Sequence, residues 1–162
     1  MVAEFKVSSE LLITVTEVYD WLDSQIRQAA DLAGRCDACG KCCNFGGPAV
    51  VSGQEPAPAS EQAFKHLLFV TTPEVMYFAA SLGAENMKPM LTNRCPYNIS
   101  GKCTVYEHRF AGCRIFCCKG DTDFQSGLSE SAIKKFKSIC TEFHIPYRYT
   151  NLATALNGFA GV

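Results

Sequence analysis

Cysteine is the residue whose number and spacing could do chemistry here. The chain has 10 cysteines in 162 residues, and nine lie between Cys36 and Cys118 in two dense groups. The first group is Cys36, Cys39, Cys42 and Cys43. The second is Cys95, Cys103, Cys113, Cys117 and Cys118, and Cys140 stands apart. In Cys36-x-x-Cys39-x-x-Cys42, each CxxC step lets two sulfurs converge on one centre while the intervening amides turn toward them. Gly40 lacks a Cβ and lets the chain curl closely at that point. Cys43, adjacent to Cys42, cannot easily turn its sulfur to the same tetrahedral ion, so two centres or one polynuclear centre fit better than a single zinc. Bacterial ferredoxins combine this spacing with a further cysteine followed by proline, and Cys95-Pro96 supplies that dipeptide from far along the chain.

The simplest arithmetic is eight ligands in two four-thiolate sites: Cys36, Cys39, Cys42, Cys43, Cys95, Cys103, Cys113 and one of Cys117 and Cys118. How they divide between sites is not readable from spacing. Closing the loop over residues 44–94 costs about 3 to 4 kcal/mol of chain entropy. A four-cysteine metal site can return roughly 10 to 16 kcal/mol. Metal therefore outweighs the loop, and the metal-free protein is expected to be partly unfolded. Cys140 lies on the apolar face of a helical pattern and reads as a small core hydrophobe.

Formal charge is −1, from 15 basic and 16 acidic residues, which argues against nucleic acid as the main partner. The chain has no run of 18 apolar residues, so no membrane span is expected, and Met1 to Lys6 lacks the pattern of a secretory signal. A cytoplasmic protein with reduced thiols is the expectation. Arg94, Lys102, Arg109, Arg114 and Lys119 crowd around the second cysteine group. They could offset the charge of thiolate centres or meet an electron-transfer partner, the other reading being a solvated basic face. Two four-thiolate sites, each about −2, would move the net charge from −1 to about −5.

The ordered set Cys36-x-x-Cys39-x-x-Cys42-Cys43, Cys95-Pro96, Gly101-Lys102-Cys103-Thr104-Val105-Tyr106-Glu107-His108-Arg109 and Cys113-Arg114-Ile115-Phe116 resembles the CxxCxxCC cysteine-cluster family. That family, also called YkgJ-like, is described as a zinc- or iron-chelating domain. Val70 to Glu74, continuing to Leu82-Gly83, resembles the segment between its two cysteine groups, so the likeness spans residues 36–118. It implies as ligands Cys36, Cys39, Cys42, Cys43, Cys95, Cys103, Cys113 and Cys118, with Cys117 the alternate. Arg109 and Arg114 fall on its motif positions and are expected in an ion pair or behind the ligating cysteines. Two departures stand out: Arg109-Phe110 replaces the usual Arg-Pro, and Cys117 takes a place often held by proline or a small residue. Such a domain also occurs in flagellin lysine methylases, understood to use a [4Fe-4S] cluster with S-adenosylmethionine. No glycine-rich strand-to-helix fingerprint, catalytic triad, paired-carboxylate signature or phosphate loop accompanies it in this chain.

The elements that must position these groups are less sharply marked. Residues 3–14 suit short strands or the lead-in to a helix. Thr14-Val15-Thr16-Glu17 has capping-box spacing, and Val15, Val18, Tyr19, Leu22, Ile26, Ala29 and Ala33 follow at helical intervals until Gly34, just before Cys36. Gly46, Gly47, Pro48, Gly53, Pro56 and Pro58 make the next stretch a loop around a short apolar Ala49-Val50-Val51. Leu67 to Val70 reads as a strand, leading into an N-cap at Thr72 with Pro73 first in a helix that Gly83 ends. Another helix is predicted from near Ser129, with Ile133, Phe136, Ile139, Cys140 and Phe143 on one face, stopped by Ile145-Pro146. Tyr147 to Thr150 suits a strand, and Leu152 to Leu156 a final helical turn or two. Trp21 and Phe136 read as core, Tyr106 as packing over the ligating cysteines, and His66, His108 and His144 as too scattered to be ligands.

The expectation is an α+β, mainly helical single domain over residues 1–162, organised around cysteine-ligated metal, with 36–118 as its core and 1–35 and 119–162 as helical extensions. The leading function is a metal-binding protein with an iron–sulfur cluster, [4Fe-4S] for preference, either redox-active in an oxidoreductase-like role or supporting chemistry on a partner. An electron donor or other protein is the expected partner. The alternative is a structural zinc module that mediates interactions and catalyses nothing.

Overall fold

The computed structural model describes residues 7–36, 43 and 68–159. Cys39, Cys42, His66, Leu67 and the loop expected over residues 44–60 lie outside the described residues.

Helix α1 (Ser9–Gln28) starts earlier than its apolar spacing predicts, because Ser8 caps it: the Ser8 hydroxyl accepts from the Leu11 N–H at 3.2 Å. Thr14 and Thr16, read as capping residues, instead donate their hydroxyls to the Glu10 and Leu12 carbonyls one turn back. Leu11, Val15, Val18, Tyr19 and Leu22 form the buried stripe. The chain bends at Ala29, and a single turn, α2 (Ala30–Ala33), ends at Gly34. Gly34 has φ of +79°, and a Cβ there would stand 2.8 Å from the Gly120 backbone nitrogen. Both conformation and close approach therefore require glycine.

Strand β1 (Phe69–Thr71) runs straight into α3 (Thr72–Leu82), whose N-cap is Thr71, one residue before the expected Thr72. Glu74 reaches back to accept from the Thr71 N–H and hydroxyl, both at 2.8 Å, and Gly83 ends the helix at φ of +88°. Next comes a hairpin of β2 (Asn98–Ile99) and β3 (Lys102–Cys103). Its two central residues, Ser100 and Gly101, have φ of +53° and +81°, the combination a two-residue hairpin turn needs. After α4 (Ala111–Ile115) the longest helix, α5 (Thr122–Glu142), begins almost two turns before the expected Ser129. Asp121 caps it, accepting from the Phe124 N–H at 2.8 Å, and Gly127 within those turns hid the pattern from the sequence. Strand β4 (Tyr149–Asn151) pairs antiparallel with β1, Val70 opposite Thr150, and α6 (Leu152–Phe159) completes the order.

Helix accounts for 62% of the described residues in a mixed helix-and-sheet architecture, a single domain. Two apolar cores support it. In the first, Leu11, Val15 and Leu22 of α1 pack with Ala111 and Ile115 of α4 and Phe136 and Ile139 of α5. In the second, Val70, Phe78, Phe110, Leu152 and Leu156 meet, with Tyr97 and Phe110 4.7 to 5.1 Å from the Phe78 ring. Glu74 joins the cores: its carboxylate also accepts from the Ala111 N–H at 2.7 Å and the Tyr19 hydroxyl at 3.5 Å. None of the described helices is long and apolar enough to cross a membrane.

Candidate metal centre

The second cysteine group is arranged by the β2–β3 hairpin. Asn98 donates its backbone N–H to the Cys95 carbonyl at 3.0 Å, and across the hairpin it stands directly opposite Cys103. The Tyr97 carbonyl accepts from both the N–H and the hydroxyl of Thr104, at 2.9 and 2.6 Å, which locks the far strand in place. Cys95 and Cys103 are therefore held at one end of a tight ribbon. Cys113 comes from α4 and packs with Cys95 against the second core. Cys43, the described member of the first group's vicinal pair, accepts at its carbonyl from the Cys95 N–H at 2.8 Å. One backbone hydrogen bond thus clips the two halves of the cysteine constellation together.

The thiols feel this arrangement. Burial pushes Cys113 far above the usual thiol range, and the neighbouring Cys95, Cys43 and Cys103 push it further, against a lowering by the Arg109 guanidinium. Cys95 is pushed up to about 11, chiefly by burial and then by Cys43 and Cys103. Cys43, Cys95, Cys103 and Cys113 are thus one electrostatic group. Among the described residues no three Cys, His, Asp or Glu side chains stand at the mutual geometry of a single bound ion.

The other described cysteines are Cys36, Cys117, Cys118 and Cys140. Cys36 is exposed and follows Gly34, which packs on the Lys119–Gly120 backbone; the Asp121 N–H donates to the Leu32 carbonyl at 2.7 Å in the same seam. That seam brings the Cys36 segment alongside the one carrying Cys117 and Cys118. Cys118 is exposed, whereas Cys117 is buried and its carbonyl accepts from Gly120 and from the Gln125 side chain, at 3.0 and 2.8 Å. Cys140 is 3% exposed within the α5 core stripe.

The two motif arginines do different things. Arg114 donates to Asp23 at 2.9 Å and to the carbonyls of Arg109 and Glu107, and lies 4.2 Å over the Tyr19 ring. Arg109 stacks 3.7 Å from the Tyr106 ring and donates to the Tyr106 and Cys113 carbonyls, at 3.0 and 3.4 Å. Tyr106 is itself 61% exposed and serves as the platform for Arg109, a different place from the expected packing over the thiols. A cavity of about 300 Å³ lined by Tyr19, Asp20, Tyr77, Tyr106, Arg109 and Arg114 opens on this side. His108 meets the Tyr77 hydroxyl at 3.4 Å, and His144 is an exposed residue at φ of +54° after α5.

Sequence reasoning missed Asn98. It is 6% exposed, and its carbonyl oxygen accepts from the Gly101 N–H at 3.1 Å and Arg94 Nη2 at 2.8 Å. Among the described residues its amide nitrogen is buried without a hydrogen-bond partner. Such an orphan is costly and uncommon. The only available signal was its position in Cys95-Pro96-Tyr97-Asn98, three residues past a candidate ligand. Burial and neighbouring thiols raise the pKa of Cys95 and Cys113 beside this orphaned amide, while the described side chains do not stand at the geometry of a bound ion. No family model, curated protein or solved structure matches the chain.

Proposed function

We propose that the protein is a cytoplasmic metal-binding protein carrying a cysteine-ligated iron–sulfur cluster, redox-active or supporting chemistry on a protein partner. The observation that carries this reading is the hydrogen bond from the Cys95 N–H to the Cys43 carbonyl, 2.8 Å long, which joins two cysteine groups far apart in sequence. Iron–sulfur is preferred over zinc because of the ferredoxin-like CxxCxxC spacing, the distant Cys95-Pro96 and the vicinal Cys42-Cys43 and Cys117-Cys118 pairs. The resemblance to the cysteine-cluster family supports the same donor set. When bound, such a cluster supplies one-electron chemistry or an open iron position. The chain's own contribution is to hold the thiols, exclude water around Cys113 and place the Arg109 charge beside them.

Anaerobic purification, a visible spectrum, and iron, zinc and acid-labile sulfide analysis test this reading. Brown protein with equimolar iron and sulfide is the expected result. Colourless protein with stoichiometric zinc and no sulfide would replace it with the second reading, a structural zinc module acting in protein interaction.

A further inference from the structure

The cavity of about 300 Å³ beside Arg109 is lined by charges of both signs and by no described cysteine. Between the described residues the only ion pair is Arg114–Asp23. Arg114 is fully engaged: its side chain is 7% exposed, it also donates to the Glu107 and Arg109 carbonyls, and it lies over the Tyr19 ring. Asp20, Glu107 and Arg109 line the same cavity with no ion-pair partner among the described residues. Asp20 sits three residues before Asp23, on the same side of α1, and Glu107 and Arg109 come from the segment just before α4. Arg109 is held in place by the Tyr106 ring, 3.7 Å from its guanidinium, and by the Tyr106 and Cys113 carbonyls, which accept from its Nε and Nη1. Among the described residues its Nη2 makes no hydrogen bond. A planar cation already fixed in position loses little freedom when an anion docks on it.

A ligand of one sign meets repulsion in this cavity. A simple anion on Arg109 would stand beside the Asp20 and Glu107 carboxylates, and a simple cation on those carboxylates would stand beside Arg109. A ligand that carries both signs answers all three groups. The Tyr77 ring adds an apolar wall, and the volume is at the small end of ligand sites, which suits a single residue better than a peptide chain. We propose that this cavity binds a free α-amino acid as its zwitterion, the carboxylate on Arg109 and the ammonium on Asp20 and Glu107, with the amino-acid side chain against Tyr77. Arg114 is a positioning residue: its bonds to the Arg109 and Glu107 carbonyls and to Asp23 tie the segment carrying two of the binding groups to the helix carrying the third. The site uses no cysteine and needs no metal, so it stands apart from the metal reading.

The test titrates the full chain, as purified, with each standard amino acid singly, read by ligand-observed NMR. The tightest binder is then compared with its two halves, the same molecule without its amino group and the same molecule without its carboxylate. The parent should bind about tenfold tighter than either half. Asp20→Asn should weaken the parent and the amine half about tenfold while leaving the acid half unchanged, and Arg109→Gln should do the opposite to the two halves. Asp20 is exposed, so Asp20→Asn should melt like the wild type and decides the matter if Arg109→Gln fails to fold. Glu130→Gln, an exposed acid on α5 outside the cavity, should leave every affinity unchanged. Three results would each overturn the proposal: no amino acid binding at millimolar concentration, a half that binds as tightly as its parent, or binding indifferent to Asp20→Asn.

Discussion

Among single residues, thiols that look alike in sequence occupy different physical settings. Cys113 is desolvated and crowded by other thiols, whereas Cys140 is buried on the core face of α5. Cys113→Ser should therefore lose metal and thermal stability together, and Cys42→Ser should do the same on the sequence reading. Cys140→Ala should keep full metal content and lose only about 1 kcal/mol from a small cavity; metal analysis beside a thermal melt checks all three. The identity of the candidate ligands was legible in spacing because CxxC steps and a Cys-Pro dipeptide are local signals. Asn98 was not, because its importance comes from a cross-strand partner and an unsatisfied nitrogen, neither of which is encoded in neighbouring residues. Tyr106 was misplaced for a related reason: its ring is claimed by Arg109, three residues on, and lies toward solvent.

Individual elements were legible where one residue forces one conformation. Gly34 and Gly83 end their helices at positive φ, as their placement predicts. Gly34→Ala should cost about 2 kcal/mol, combining left-handed strain with a clash against Gly120, and should loosen the seam between the Cys36 and Cys118 segments. Urea unfolding of the variant measures the first effect. The starts of α1 and α5 were harder, because Thr14 and Thr16 mimic caps while bonding backward, and Gly127 interrupts an otherwise helical turn. Glu74 makes a separate prediction. Burial raises its pKa above that of the unfolded chain, so over the window just above the ordinary glutamate range the folded state holds a proton that the unfolded state has released. The Glu74 contribution to stability must then fall as pH rises through that window. Glu74→Gln should remove this slope, at the cost of an acceptor for the Thr71 and Ala111 N–H groups. A pH series of denaturant midpoints for both proteins gives the difference directly.

For the molecule as a whole, the α+β, mainly helical architecture follows from apolar stripes that the sequence displays, but the meeting of distant segments does not. Nothing local in Phe69–Thr71 or Tyr149–Asn151 names the other as its partner; short strands acquire a register only when the helices on either side have packed. The same holds for Cys43 and Cys95. Among the described residues the core between α1, α4 and α5 is built without any cysteine side chain, so chelator treatment should leave much of that packing in place while loosening the hairpin and its cysteines. Far-UV circular dichroism that survives metal removal, beside lost exchange protection at residues 95–113, is the expected pattern.

The second core is assembled from segments made at widely separated times. Leu152 and Leu156, from the last helix, are structural members of the core against which Cys95 and Cys113 pack. While a nascent chain still lacks them, the core keeps Tyr97 and Phe110 on the Phe78 ring but is incomplete, and the Cys113 side chain packed against it is more open to solvent. A ribosome-bound chain stopped before Leu152 should therefore expose its second cysteine group to thiol reagents more than the full-length chain does.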